Sequence, residues 1–180
     1  MTEPASTAAD PGRAGDRQLI LDLVLGYCRG VDRLDLDLVR AAYHPGGIDH
    51  HTGFDGTVEE YVRWLEPKLR GFDGTMHLVA NQLVGFSGER AVAETYGMAV
   101  HWGTPADDPR LNFTSGFRYV DLLEIRAGRW GIVERHAVRE WTRSDAGIRM
   151  PAEANGPVGA RTHDDPVYVQ LARLRAEARP

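Results

Sequence analysis

Asp32 and His77 are the two residues whose surroundings in the chain suggest proton chemistry. From Asp16 onward, apolar residues recur at Leu19, Ile20, Leu23, Val24, Tyr27 and Val31, with a second column at Leu21, Leu25 and Cys28, the spacing of an amphipathic helix. The second column runs on into Asp32, so a carboxylate lies at the edge of an apolar face, where it needs a partner. It could equally cap or solvate the helix end beside Gly30, Arg33 and Asp35. His77 opens the run Thr-Met-His-Leu-Val-Ala-Asn (75–81), and strict alternation puts Val79 and Asn81 on its own face. A single histidine in a strand is commonly a hydrogen-bonded structural residue. A carboxylate accepting one ring N–H would instead fix the tautomer and make the other nitrogen a better base. Spacing leaves both readings open, because it does not say which helix residue meets which strand residue.

The elements that must position these groups fall into two blocks. After the first helix, Asp35 stands where an N-cap belongs, before Leu36, Leu38, Val39 and Ala42, and His44-Pro45-Gly46-Gly47 stops a short second helix. Thr57 with Glu60 has the spacing of a capping box and opens a third helix through Tyr61, Trp64, Leu65 and Leu69 to Gly71. Beyond Thr75 the pattern changes to β-branched and aromatic runs at 75–86, 90–102, 112–126 and 129–141. Two of the joins read as hairpin turns, 85–89 and 126–129, and 103–111 reads as a looser Asp/Pro-rich loop. Helices followed by meander strands predict an α+β fold. The expected organisation is a floppy polar arm over 1–15, one domain over 16–143, and an extension over 144–180 with a helix near its end.

Composition narrows the function. A chain of 180 residues suits one domain with a sizeable core, and a formal charge of -5 with interspersed signs offers no footprint for nucleic acid. Cys28 is the single cysteine, so neither an intramolecular disulfide nor a thiolate metal cluster can form, and a reducing, cytoplasmic setting is expected. No apolar run approaches a membrane span, and the N-terminus has no apolar signal core. Asp49, His50 and His51, with His44 nearby, resemble metal ligands only superficially: adjacent histidines in a strand point to opposite faces, and no metal is expected. Neither a Gly-rich phosphate loop before a helix nor a Gly-x-Ser-x-Gly turn occurs, and no cofactor is expected.

Four segments together carry a family resemblance: Leu-Gly-Tyr-Cys-Arg-Gly-Val-Asp-Arg-Leu-Asp (25–35), Tyr-His-Pro (43–45), Thr-Met-His-Leu-Val-Ala-Asn (75–81) and Gly-Arg-Trp-Gly-Ile-Val-Glu-Arg (128–135). Over about 16–141 the chain resembles the SnoaL-like proteins of the nuclear transport factor 2 superfamily, a group that includes scytalone dehydratase, a bile acid dehydratase and a lindane dehydrochlorinase. The resemblance implies a cone-shaped α+β barrel, with N-terminal helices on a strongly curved, mainly antiparallel sheet around an apolar pocket. It implies that Asp32 and His77 match an elimination dyad, that Tyr27 matches a polar pocket position, and that Arg135 matches the arginine of the last strand. Arg139, on the same strand face, is the alternative to Arg135. Trp64, Tyr96, Met98, Trp102 and Phe117 are ordinary core residues on composition and pocket walls under the resemblance.

The expected activity is a cofactor-independent lyase or isomerase acting on a small apolar carbonyl compound such as a steroid, terpenoid or polyketide. A polyketide-type aldol cyclase and a non-catalytic ligand-binding module are the alternatives, since this scaffold hosts several chemistries. Long strands with apolar residues at Val92, Tyr96, Met98, Val100 and Trp102 predict sheet surface buried between subunits, and the resemblance implies a homotrimer or homodimer.

Overall fold

The computed structural model describes residues 11–146 and 160–177, and the N-terminal part of the expected arm, 1–10, lies outside them. A short 3₁₀ turn (Pro11–Arg13) leads directly into α1 (Ala14–Arg33), followed by α2 (Leu36–Ala41). Asp35 caps α2 by accepting from the Leu38 amide. Strand β1 (Tyr43–His51) follows, then β2 (Phe54–Thr57) and α3 (Val58–Leu69). Thr57 and Glu60 form the reciprocal capping box that their spacing predicts. The four long strands are β3 (Gly74–Ser87), β4 (Arg90–Trp102), β5 (Phe113–Arg126) and β6 (Arg129–Ser144), and α4 (Pro166–Glu177) closes the described chain.

Six strands make one mixed sheet in the order β2-β1-β6-β5-β4-β3, antiparallel throughout except for the parallel pair β1 and β6. The sheet is not closed, and β2 and β3 are its edges. Helix α2 ends at Ala41, just before the segment 44–47 expected to stop it, and that segment is part of β1. Gly46 there takes a left-handed φ of 78°, and the pairing with β6 shifts between Tyr43 and Ile48, so the Pro-Gly-Gly sequence makes a bulge rather than an end.

Helices α1 and α3 cover the concave face, and the core is built from Ile20, Val24, Tyr27 and Val31 of α1, Tyr61, Val62 and Leu65 of α3, and Tyr119, Leu123 and Ile132 of the sheet. The inward positions of β4 are small: Ala91, Ala93, Thr95, Gly97 and Ala99. A Cβ at Gly97 would lie 2.5 Å from the Phe117 ring, so this glycine allows β5 aromatics to lie flat against β4. Small side chains on the concave face leave the middle of the cone unfilled.

The C-terminal segment packs beside the end of α1. Arg33 pairs with Asp165 at 3.1 Å, the Tyr168 hydroxyl donates to Asp35 Oδ2 at 2.9 Å, and Arg161 donates to the Phe72 carbonyl at 2.6 Å. Among the described residues no helix is long and apolar enough to cross a membrane.

Candidate active site

Asp32 sits in the last turn of α1, which ends because Leu34 adopts a left-handed φ of 56° and the Asp35 amide turns back to the Gly30 carbonyl at 2.9 Å. That turn presents the Asp32 carboxylate to the start of β3. There it accepts from Thr75 Oγ1 at 2.9 Å, from the His77 amide at 2.9 Å and from His77 Nδ1 at 2.7 Å. In the neutral ring the acceptor-only carboxylate selects the tautomer with the proton on Nδ1, and Nε2 then keeps the lone pair. The expected contact between helix and strand is therefore formed. The expected face partner Asn81 is not: the β3–β4 register shifts between Val79 and Gln82, leaving Asn81 exposed while Gln82 donates to buried Thr95.

His77 borders a cavity of about 260 Å³ enclosed by α1, α3 and the concave sheet face. Tyr27, Trp64, Phe117 and Arg139 line it, as the family resemblance implies. Three expected wall residues do not. Tyr96 and Met98 are exposed on the opposite side of β4, and Trp102 lies over Gly74, where its ring would stand 2.2 Å from an added Cβ. The reason is alternation: Ala99 and His101 face the cavity, so even-numbered residues of β4 face away.

Arg135 also departs from expectation. It is fully buried but does not line the cavity. Nε and Nη2 make a bidentate pair with Asp121 at 2.7 Å each, and the guanidinium lies 4.3 Å from the Tyr27 ring centroid and 4.0 Å from that of Tyr119. Burial pulls its pKa down, yet the Asp121 charge and the surrounding phenols hold it well above the ordinary arginine value. Ala137 and Arg139, one and two pleats toward the open end of β6, are the residues of that face that reach the cavity, so Arg139 takes the place expected for Arg135.

Several cavity residues carry no decisive signal in the sequence. His101 stacks on Phe113 at 4.3 Å and meets the His77 ring edge-on at 6.4 Å. Burial, with a smaller contribution from His77, lowers its pKa to about 4, so it is a neutral imidazole near pH 7. Pairing of Thr75 with His101 across β3 and β4 brings it there, a relation visible only once the strand register is known. His51 and Tyr61 form a second polar group on the wall. His51 Nδ1 bonds to Asp49, which also accepts from the Tyr43 hydroxyl, while His51 Nε2 lies 3.3 Å from the Tyr61 hydroxyl. Tyr61 in turn meets the Tyr27 hydroxyl at 2.7 Å. Burial first, and the Asp49 charge among the smaller causes, push the Tyr27 and Tyr61 phenols well above their usual pKa, so both keep their protons.

A second hollow lies behind the dyad, lined by Cys28, Asp32, His77 and Asp165 among others. The Cys28 thiol there is pushed up to about 12 by burial, which keeps it protonated and unreactive. On the far side of β1, His50 points away from His51, as alternation predicts. Its ring nitrogens and that of His136 contact the carboxylates of Asp55 and Glu134 at 3.0 to 3.4 Å in a polar row along the sheet.

The fold has counterparts among solved structures. A hexachlorocyclohexane dehydrochlorinase of type 2 superposes with a TM-score of 0.70 at 17% identity, covering 81% of this chain and 99% of that one. A scytalone dehydratase-like protein from Novosphingobium aromaticivorans gives 0.65 at 19% identity, covering 77% of this chain and 91% of that one. A protein from Kribbella flavida gives 0.65 at 20% identity, covering 72% and 93%. At such identities these likenesses concern the fold alone. No curated protein matches the sequence. The sequence model of the SnoaL-like domain matches residues 12–136, which takes in both halves of the Asp32–His77 pair and most of the sheet that shapes the cavity. By that match, the chain belongs to the SnoaL-like family.

Proposed function

We propose that the protein is a lyase or isomerase in which His77 abstracts a carbon-bound proton from a small apolar carbonyl compound held in the cavity. The observation that carries the reading is the Asp32–His77 contact at the cavity wall. Asp32 holds the Nδ1 proton and leaves Nε2 as the acceptor; when Nε2 takes up a proton, the carboxylate stabilises the imidazolium. Thr75 and the His77 amide fix the carboxylate, so little reorganisation is needed during the reaction. The aromatic lining of Trp64, Phe72, Phe113 and Phe117 suits an apolar ring, and Arg139 at the exposed end of β6 supplies a cation for a developing enolate. Tyr27 is the hydroxyl donor for a leaving group. The dehydratase and dehydrochlorinase names of structural neighbours support elimination over aldol cyclisation. Arg135 serves instead to hold Tyr27 and Tyr119 in place.

The same reading takes the outer sheet face as the contact between copies in a homodimer or homotrimer. Leu78 pairs with Met98, Met98 with Gly116 and Gly116 with Trp141, giving one apolar row across four strands whose three side chains are each more than 40% exposed. The test of the catalytic reading is turnover of a panel of β-hydroxy and β-halo ketones by the protein and its His77→Ala variant. Elimination that persists in folded His77→Ala removes the reading; binding without turnover by the unmodified protein favours the non-catalytic module.

A further inference from the structure

Among the described residues the cavity has two histidine–carboxylate pairs, and the proposed base uses one. Asp49 is fully buried, and its two oxygens are taken by the Tyr43 hydroxyl and His51 Nδ1. The rest of the row is continuous: His51 Nε2 to Tyr61 at 3.3 Å, then Tyr61 to Tyr27 at 2.7 Å, with His51, Tyr61 and Tyr27 all on the cavity wall. The pairs come from opposite parts of the sheet. His51 ends β1 and His77 begins β3, with β6, β5 and β4 between them, so a substrate in the cavity is met from two sides.

The direction of these bonds follows from the protons available. With His51 neutral and its proton on Nδ1, Nε2 accepts from Tyr61, Tyr61 accepts from Tyr27, and no hydroxyl proton is left for the cavity. One more proton, on Nε2, reverses the row: His51 donates to Tyr61, Tyr61 to Tyr27, and Tyr27 turns its hydroxyl hydrogen to the cavity. The groups facing His51 are Asp49 and Tyr43 from β1, Tyr61 from α3 and Tyr119 from β5, with the Arg135–Asp121 pair behind Tyr27 and Tyr119. Asp49 is the carboxylate in contact with the ring, so the Nδ1 proton is held in either state of the row.

We infer that Asp49, His51 and Tyr61 form a proton relay that delivers a proton through Tyr27 to the departing oxygen of the substrate. The inference rests on the elimination reading above. In the step, His77 Nε2 takes the proton from carbon, the C–H electron pair becomes the new π bond, and the C–O bond breaks with its pair on oxygen. That oxygen takes the Tyr27 proton, Tyr27 takes the Tyr61 proton and Tyr61 takes the His51 Nε2 proton, so water leaves and His51 ends neutral. His77 then releases its proton to solvent and His51 takes one up. His51, whose side chain is 19% exposed, is the open end of the relay. His51 and Tyr61 act through Tyr27, so they are positioning and relay residues rather than groups touching substrate.

The test compares a poor and a good leaving group on one skeleton: the aldol of acetone with benzaldehyde and its O-acetyl ester, both giving the same enone on elimination. Hydroxide needs a proton to leave and acetate does not. His51→Gln and Tyr61→Phe are each expected to lose roughly 10²-fold on the hydroxy ketone and no more than about threefold on the ester. His77→Ala is expected to lose activity on both. Tyr61→Phe removes one oxygen with little change of shape, and circular dichroism checks that each variant folds. Equal losses on both ketones, or no loss on the hydroxy ketone, overturn the relay while leaving the base intact. Failure of the unmodified protein on both, or full activity in His77→Ala, overturns the elimination reading and the relay with it.

Discussion

The rim and the floor of the cone use the same residue types for different ends. At the rim, Asp32 fixes His77 by hydrogen bonds to its ring and amide, with Thr75 as a third donor, and the proposed base uses the other ring nitrogen. At the floor, Arg135 and Asp121 are both fully buried and bonded to each other, with tyrosine rings stacked around the guanidinium. A polar group with one valence left open can react. A bidentate charge pair sealed under aromatic rings holds the wall in shape. The contrast predicts that changes at the rim alter rate and changes at the floor alter stability.

The sharpest way to break it is at the floor. Asp121→Asn leaves the buried Arg135 without its counter-charge and is expected to destabilise by about 3 to 5 kcal/mol, read from chemical denaturation. A loss under about 1 kcal/mol would mean that water or movement of Arg135 relieves the charge. At the rim, His77→Ala is expected to slow elimination by roughly 10² to 10⁴-fold with the thermal midpoint nearly kept. If unfolding accompanies the loss, His77 is a structural residue after all.

His101 lies between these extremes and sharpens the comparison through pH. Its native pKa is about 4 because burial disfavours the imidazolium, whereas the unfolded chain titrates near the ordinary histidine value of 6.5. Both states are neutral at pH 7, so nothing is lost there. As pH falls from 6.5 to 4 the unfolded state takes up the proton first, and stability drops by an amount on the order of 3 kcal/mol. His101→Phe should remove that slope, so the stability gap between the two proteins shifts in favour of the variant over this window. Parallel pH profiles would show that His101 protonates freely when folded. The smallest effect expected on the monomer itself is at the outer face. Met98→Lys leaves the cavity untouched and should shift sedimentation toward smaller species at micromolar concentration, and an unmodified protein that is already monomeric would end the assembly proposal.

Much of the scaffold behind this contrast is legible in the residues alone. Helix periodicity marks α1 and α3, the Thr57/Glu60 spacing marks a cap that is formed as read, and β-branched runs mark all four long strands within about three residues at each end. Local rules suffice where the determinants are local. The substrate wall is less accessible, because alternation says which residues share a face but not which face is concave. Tyr96, Met98 and Trp102 are expected inside for their aromatic or apolar character, and they lie on the other side from Ala99 and His101.

Residue patterns alone establish the α+β class, the helix edge on which Asp32 stands, the strand start that holds His77, and the opposite orientations of His50 and His51. Only the tertiary structure decided that Asp32 reaches across 45 positions to His77, that Arg139 rather than Arg135 meets the cavity, and that Asp49, His51, Tyr61 and Tyr27 form one row. The physical reason is range. Periodicity and capping act within a turn or a pleat, whereas these contacts depend on strand register, on the bulges in β1 and β3, and on how far the open sheet curls around its helices.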